Sequence, residues 1–117
     1  MEDQNIIIYK TQDGKSAVSL YVKEDSVWMN QQQLAELFDT SKQNIGQHIN
    51  NVLEDKELDA KSVVKNYFTT AADGKNYDVT FYSLDMILAI GFRVRSKRGT
   101  QFRQWAHFIK TKRHPFS

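Results

Sequence analysis

MNQQQLAELFDTSKQNIGQHINNVL, residues 29–53, is the stretch whose reading decides the fold. Leu34, Ala35 and Phe38 form one apolar face at helical spacing, and Ile45, Ile49 and Val52 form a second. Asp39-Thr40-Ser41 interrupts the period between them, and Ser41 suits the N-cap of a following helix. Ala35 is small enough to let two helix backbones approach closely. The spacing predicts a helix-turn-helix over 30–53, the layout in which a second helix enters a DNA major groove.

At about 100° per residue from Ile45, Gln47 points away from the apolar side of that second helix. Gln43 and Asn50 lie to one side of it, Asn44 and Asn51 to the other. All five are amides, which pair bidentately with adenine through N6 and N7. A surface helix with no further task favours Glu and Lys, which are better helix formers and make i,i+4 pairs. The amide strip is therefore expected to read base edges, and Lys42 in the first turn to meet a phosphate.

A chain of 117 residues fits one domain with a real core. Its 40% hydrophobic and 26% charged residues are ordinary for a soluble globular protein. No apolar run approaches a membrane span, and no signal-peptide pattern opens the chain. With no cysteine there are no disulfides or thiolate metal sites, and the expected location is cytoplasmic, with the nucleoid. The net charge of +2 conceals a division. All 14 carboxylates lie in residues 1–92, which hold lysines but no arginine. Every arginine lies in residues 93–117, which hold no carboxylate. Arginine is the preferred partner of phosphate, so this basic segment is expected to track a DNA backbone.

Around the motif the pattern alternates between strand and helix. Ile6–Tyr9 and Val18–Val22 flank Asp13-Gly14-Lys15, a hairpin signal, and Val27–Met29 forms a third short strand before Asn30, a cap candidate. The acidic stretch Glu54–Asp59 reads as a solvated loop. A second hairpin spans 63–82 around Asp73-Gly74-Lys75, with its tip at Lys75-Asn76. A hairpin following a recognition helix is the wing of a winged helix-turn-helix. Ser83 is expected to cap an apolar core helix over 83–91 that Gly91 ends. A basic segment and last helix fill 93–112, the helix starting near Thr100. Phe102, Trp105, Ala106 and Ile109 share one face of it, and Arg103, His107 and Lys110 another. The fold class is thus α+β, a winged helix-turn-helix with an added N-terminal hairpin over 5–29 and a C-terminal basic helix.

VWMNQQQLAELFDTSKQNI (27–45), DGKNY (73–77) and FYSLDMILAIGFRVRSKRGTQFRQWA (81–106) together resemble the virulence-associated RhuM family of bacterial proteins. The segment GFRVRSKRGTQFRQWA is also similar to one in phage antirepressor-type DNA-binding domains. The resemblance runs from about Ile6 to Ala106 and implies DNA binding and a link to mobile elements or virulence loci. Family members are usually longer, so the chain looks like their N-terminal DNA-binding domain.

No catalytic constellation accompanies these motifs. His48, His107 and His114 lack metal-ligand spacing, and no phosphate-binding glycine loop or nucleophile triad is present. The sequence expectation is a non-enzymatic, sequence-preferring binder of double-stranded DNA that acts as a transcriptional regulator linked to virulence or mobile elements. It needs no cofactor, metal, membrane or small-molecule ligand, and it could form a homodimer. Base readers would be Gln43, Asn44, Gln47, Asn50 and Asn51. Backbone contacts would be Lys42, Lys75, Asn76, Arg93, Arg95, Lys97, Arg98 and Arg103. The alternative is a protein-interaction or assembly module on the same frame, using Phe108 and Phe116.

Overall fold

The computed structural model describes residues 5–23, 26–70 and 72–113, and the side chains of these apart from residues 5, 69 and 109–113. Strands β1 (Asn5–Lys10) and β2 (Ala17–Lys23) pair antiparallel, with Ile7 opposite Leu20 and Tyr9 opposite Val18. Their turn follows from Asp13-Gly14-Lys15: Gly14 takes a φ of +74°, and the Lys15 N–H donates to Asp13 Oδ1 at 2.9 Å. Strand β3 (Ser26–Asn30) adds to β2 and runs directly into the first helix.

Helix α1 (Gln31–Phe38) begins with a complete capping box. The Gln33 N–H donates to Asn30 Oδ1, and the Asn30 N–H to Gln33 Oε1, both at 2.8 Å. Asp39 ends the helix in the left-handed region (φ 53°). Ser41 caps α2 (Lys42–Glu54) by accepting from the Asn44 N–H at 3.0 Å. Gly46 lets the two helices close up: a Cβ there would lie 2.9 Å from Gln31 Nε2, which donates to the Lys42 carbonyl.

A one-turn helix α3 (Ala60–Val63) precedes β4 (Val64–Thr70), so Val63, expected to open the second hairpin, instead closes a helix and fills the core. Strand β5 (Asn76–Ser83) pairs with β4 across a turn of the same chemistry as the first, with Gly74 at φ +82° and Lys75 N–H on Asp73 Oδ1. β5 also pairs with β3, Met29 lying opposite Tyr82. The two hairpins thereby join one antiparallel sheet in the order β1-β2-β3-β5-β4. The α+β class holds, but the N-terminal hairpin is an integral part of the sheet rather than an appendage.

Helix α4 runs over Leu84–Val94 and α5 over Lys97–Arg113, each differing from expectation at one end. Gly91 does not end α4. It sits inside the helix where α5 crosses, and a Cβ on Gly99 would lie 2.7 Å from the Gly91 carbonyl oxygen. Two glycines thus allow a backbone-to-backbone crossing, which starts α5 before Thr100. Ser83 occupies the cap position of α4, but its hydroxyl is buried and bonds to nothing among the described residues.

The core lies between the helices and one face of the sheet. Tyr9, Val18, Leu20, Val27 and Met29 meet Leu34, Leu37, Phe38, Ile45, Ile49, Ile87, Ile90 and Phe102 there. Trp105 is half-buried and packs on Tyr9 and Phe102 with ring centroids 5.0 and 5.5 Å away, an anchor as its helical spacing predicts. The side chains of Ile109 and Lys110, and residues His114 and Phe116, lie outside the described residues.

Candidate nucleic-acid interface

The outward strip of α2 forms as its spacing requires. Ile45, Ile49 and Val52 are buried, which leaves Gln43, Gln47 and Asn50 exposed. Asn44 and Asn51 are half-exposed at the strip's flank. The amides of Gln43, Gln47, Asn50 and Asn51 have no partner among the described residues. Asn44 differs, since its Nδ2 donates to Thr40 Oγ1 at 2.9 Å and helps hold the turn. Glu54, read from sequence as the first loop residue, completes the last turn of α2 and puts a carboxylate at the strip's far end.

Two grooves border this helix. On one side Lys42 shares a groove of about 310 Å³ with Gln31, Gln32, Asp78 and Thr80, so β5 lies beside the helix start. On the other, His48 and Asn51 share an open groove of about 840 Å³ with Glu57, Arg93, Arg95 and Arg103. The fold thus brings the basic segment next to α2 although some fifty residues separate them in sequence.

The basic residues are not equivalent. Arg98 is 8% exposed, and Nε and Nη2 donate to Asp13 Oδ2 at 3.1 and 2.9 Å. Its Nη1 donates to the Glu36 carbonyl at 2.8 Å. The expectation that Arg98 holds a phosphate is therefore corrected: its donors are spent tying α5 to the first hairpin turn and to α1. Arg93 is also engaged, its Nη2 donating to Asp55 Oδ2 at 3.0 Å and to Glu57 Oε1 at 2.8 Å, while its side chain stays 27% exposed at the groove. These two carboxylates hold its pKa above the ordinary arginine value, Glu57 contributing most. From Asp55 on, the acidic stretch is the solvated loop that its composition predicts, and it also supplies the counter-charge to Arg93.

The remaining cations are differently placed. Arg95 and Lys97 are exposed, and Arg103 stacks over the Phe92 ring at 4.5 Å while Nη2 reaches Thr100 Oγ1 at 3.4 Å. Lys42 and Lys75 project from the helix start and the hairpin tip. Asn76 is exposed, but its Oδ1 accepts from the Thr70 hydroxyl at 2.8 Å and so braces the hairpin. Arg95 takes the left-handed conformation (φ 54°) that ends α4, where a glycine is ordinarily favoured. Among the described residues no group of three His, Asp or Glu comes close enough to hold a metal ion. No described helix is long and apolar enough to cross a membrane.

Residues 62–112 match the virulence protein RhuM family. The RhuM match begins in α3 and takes in β4, β5, α4 and α5. It bears out the resemblance carried by the second hairpin and the basic helices. Helices α1 and α2 lie outside the matched residues, so the RhuM match speaks for the frame and not for the amide strip. Searches of curated proteins and of solved structures gave no match.

Sequence reasoning found the amides and the basic segment but missed the groupings Asp13–Arg98 and Arg93–Asp55–Glu57. The contacts Asp13–Arg98 span 85 residues, and no periodicity encodes such a pairing.

Proposed function

We propose that this chain is a sequence-preferring double-stranded DNA-binding domain, acting as a winged helix-turn-helix with α2 as the reading helix and β4–β5 as the wing. The observation that carries the reading is the outward row Gln43, Gln47 and Asn50, exposed and without partners among the described residues. Amide groups with no partner among the described residues suit the donor–acceptor pattern of adenine in the major groove. Asn51 extends the row toward the arginine groove, while Asn44 would have to release Thr40 to take part.

Lys42, Lys75, Arg95, Lys97 and Arg103 would meet phosphates on either side of the helix. Neutralising about five phosphates gives a log–log salt slope of roughly −4 to −5. A link to virulence accords with the name of the family that residues 62–112 match, and the regulatory role and the link to mobile elements are part of this proposal. A homodimer would present two reading helices to half-sites about 34 Å apart. The rival reading, a protein-interaction module, has the exposed Phe92 and Phe108 in its favour. The carboxylate-free basic segment favours nucleic acid over it.

The test is selection of bound duplexes from a random library, followed by titration at several salt concentrations. The proposal expects enrichment of A·T-containing steps and binding that weakens with salt. It fails if neither selected nor random duplexes bind at low ionic strength. Gln47→Ala is expected to cost about 1–3 kcal/mol at one base position of the selected site. Equal losses on every sequence would remove the base-reading role while leaving DNA binding intact.

A further inference from the structure

The sheet ends at β1, and no described strand pairs with its outer edge. An open edge presents unpaired N–H and C=O groups, which folds ordinarily protect with a charged side chain or a proline. The opposite edge strand, β4, carries Lys65, whereas residues 5–9 of β1 read Asn-Ile-Ile-Ile-Tyr, with neither device. Ile7 and Tyr9 turn to the core, while Ile6 and Ile8 stay 46% and 53% exposed on the other face. The Thr11 N–H donates to the Ser16 carbonyl at 3.0 Å, in register with the β1–β2 ladder. Antiparallel bonding alternates, so Asn5, Ile7 and Tyr9 bond to β2, and Ile6, Ile8 and Lys10 turn their backbone groups outward. The exposed isoleucines and the open backbone groups are thus the same residues.

We propose that β1 pairs antiparallel with β1 of a second copy of this chain, about a two-fold axis at Ile7, so that the two sheets become one. Ile6 then faces Ile8 of the second copy, and the outward backbone groups of both residues bond to each other. Opposed residues share a face, so the exposed isoleucines of both strands close into one apolar patch and the helices of both copies lie on one side. Charge selects this occupant and this direction. Glu2 and Asp3 precede β1 in sequence and Lys10 ends it, so antiparallel copies set an acidic end toward a basic one. Parallel copies would align like charges. The contact is isologous and closes at two copies. It rests on the strand and not on the duplex-binding reading.

The test is sedimentation of the whole chain without DNA, so its outcome is separate from whether a duplex binds. A dimer is expected at about 10–100 μM. Ile8→Lys, at an exposed position, should weaken dimerisation about tenfold or more and leave the far-UV circular dichroism unchanged. The chain has no cysteine, so Ile7→Cys reports the register. Residues facing each other in a non-hydrogen-bonded pair have Cα atoms about 4.5 Å apart, within reach of a disulfide. Mild oxidation should therefore link two copies of Ile7→Cys faster than two copies of Ile8→Cys, which faces Ile6 instead. A monomer throughout that concentration range overturns the proposal, and so does a dimer that Ile8→Lys leaves intact. Faster linking of Ile8→Cys than of Ile7→Cys overturns the two-fold at Ile7. Assemblies that grow beyond two copies overturn the closed pairing, since they would join β1 to β4 of the next copy.

Discussion

The end of α4 and the start of α5 each carry an arginine, three residues apart, with opposite surroundings. Arg98 is enclosed by Asp13, Ser16 and the Glu36 carbonyl, whereas Arg95 projects into solvent from a left-handed backbone position. In sequence the two belong to one basic run, RVRSKR. In the fold one is architecture and the other is surface. A cluster of like charges therefore does not measure how much charge a ligand can meet.

The largest expected effect falls on the enclosed member. Arg98→Met removes hydrogen bonds to a carboxylate and a carbonyl that a methionine cannot replace. Hydrogen bonds involving charged groups are worth about 1.5–3 kcal/mol, and partial exposure of Asp13 reduces the total. A loss of stability on the order of 2 kcal/mol is expected in urea titrations. The salt slope of duplex binding should stay unchanged. A slope flatter by about one would return Arg98 to the phosphate-binding set.

Gly99→Ala tests the crossing that places both arginines. A Cβ would meet the Gly91 carbonyl oxygen, a backbone atom that moves only with its helix. Overpacking of this kind costs about 1–3 kcal/mol. Gly91→Ala is milder, since its Cβ would approach Phe38 Cζ at 3.3 Å and the ring can shift. Equal melting temperatures for the two variants would show that the helices separate freely.

Acid probes the other half of the Arg98 contact. Hydrogen bonds from the Thr11 hydroxyl and the Lys15 N–H, with Arg98 beside them, hold the Asp13 carboxyl well below the usual carboxylate range. A carboxyl lowered by folding contributes stability above its unfolded pKa of about 3.9 and loses it as pH falls toward the folded value. The melting temperature should therefore fall below about pH 4, and by less in Asp13→Asn. Asp73 is lowered by the matching turn and adds to the same acid loss. Its exposure makes this a smaller effect than removing Arg98.

How much of this was legible in the sequence follows from the range of each interaction. Asn30 and Ser41 cap helices through residues three positions away, and both Asp-Gly-Lys turns close within two, so local pattern reveals them. The α2 strip follows from the helix period once Ile45 and Ile49 are seen to be apolar. Pairing of β3 with β5 joins segments some fifty residues apart and carries no local mark. Gly91 reads as a terminator because a glycine late in an apolar run ordinarily ends a helix. Only the neighbouring helix reveals that it and Gly99 make room for each other. The ion pairs of Arg93 and Arg98 leave no local mark for the same reason, since their carboxylate partners lie 36 to 85 residues away.

The smallest expected change sharpens the comparison most. Arg95 holds φ 54° at the end of α4, a conformation that costs a non-glycine residue roughly 1 kcal/mol. Glycine would relieve that strain and give back part of the gain as added freedom in the unfolded chain. Arg95→Gly is therefore expected to raise stability slightly, by about 0.5 kcal/mol. The same substitution should weaken duplex binding alike on all sequences and flatten the salt slope by about one. Arg98→Met should do the reverse, lowering stability and sparing the slope. An exposed arginine in this strained position accords with the phosphate contact proposed for Arg95. If Arg95→Gly leaves the salt dependence untouched, that inference fails, and the basic run contributes to architecture at both ends.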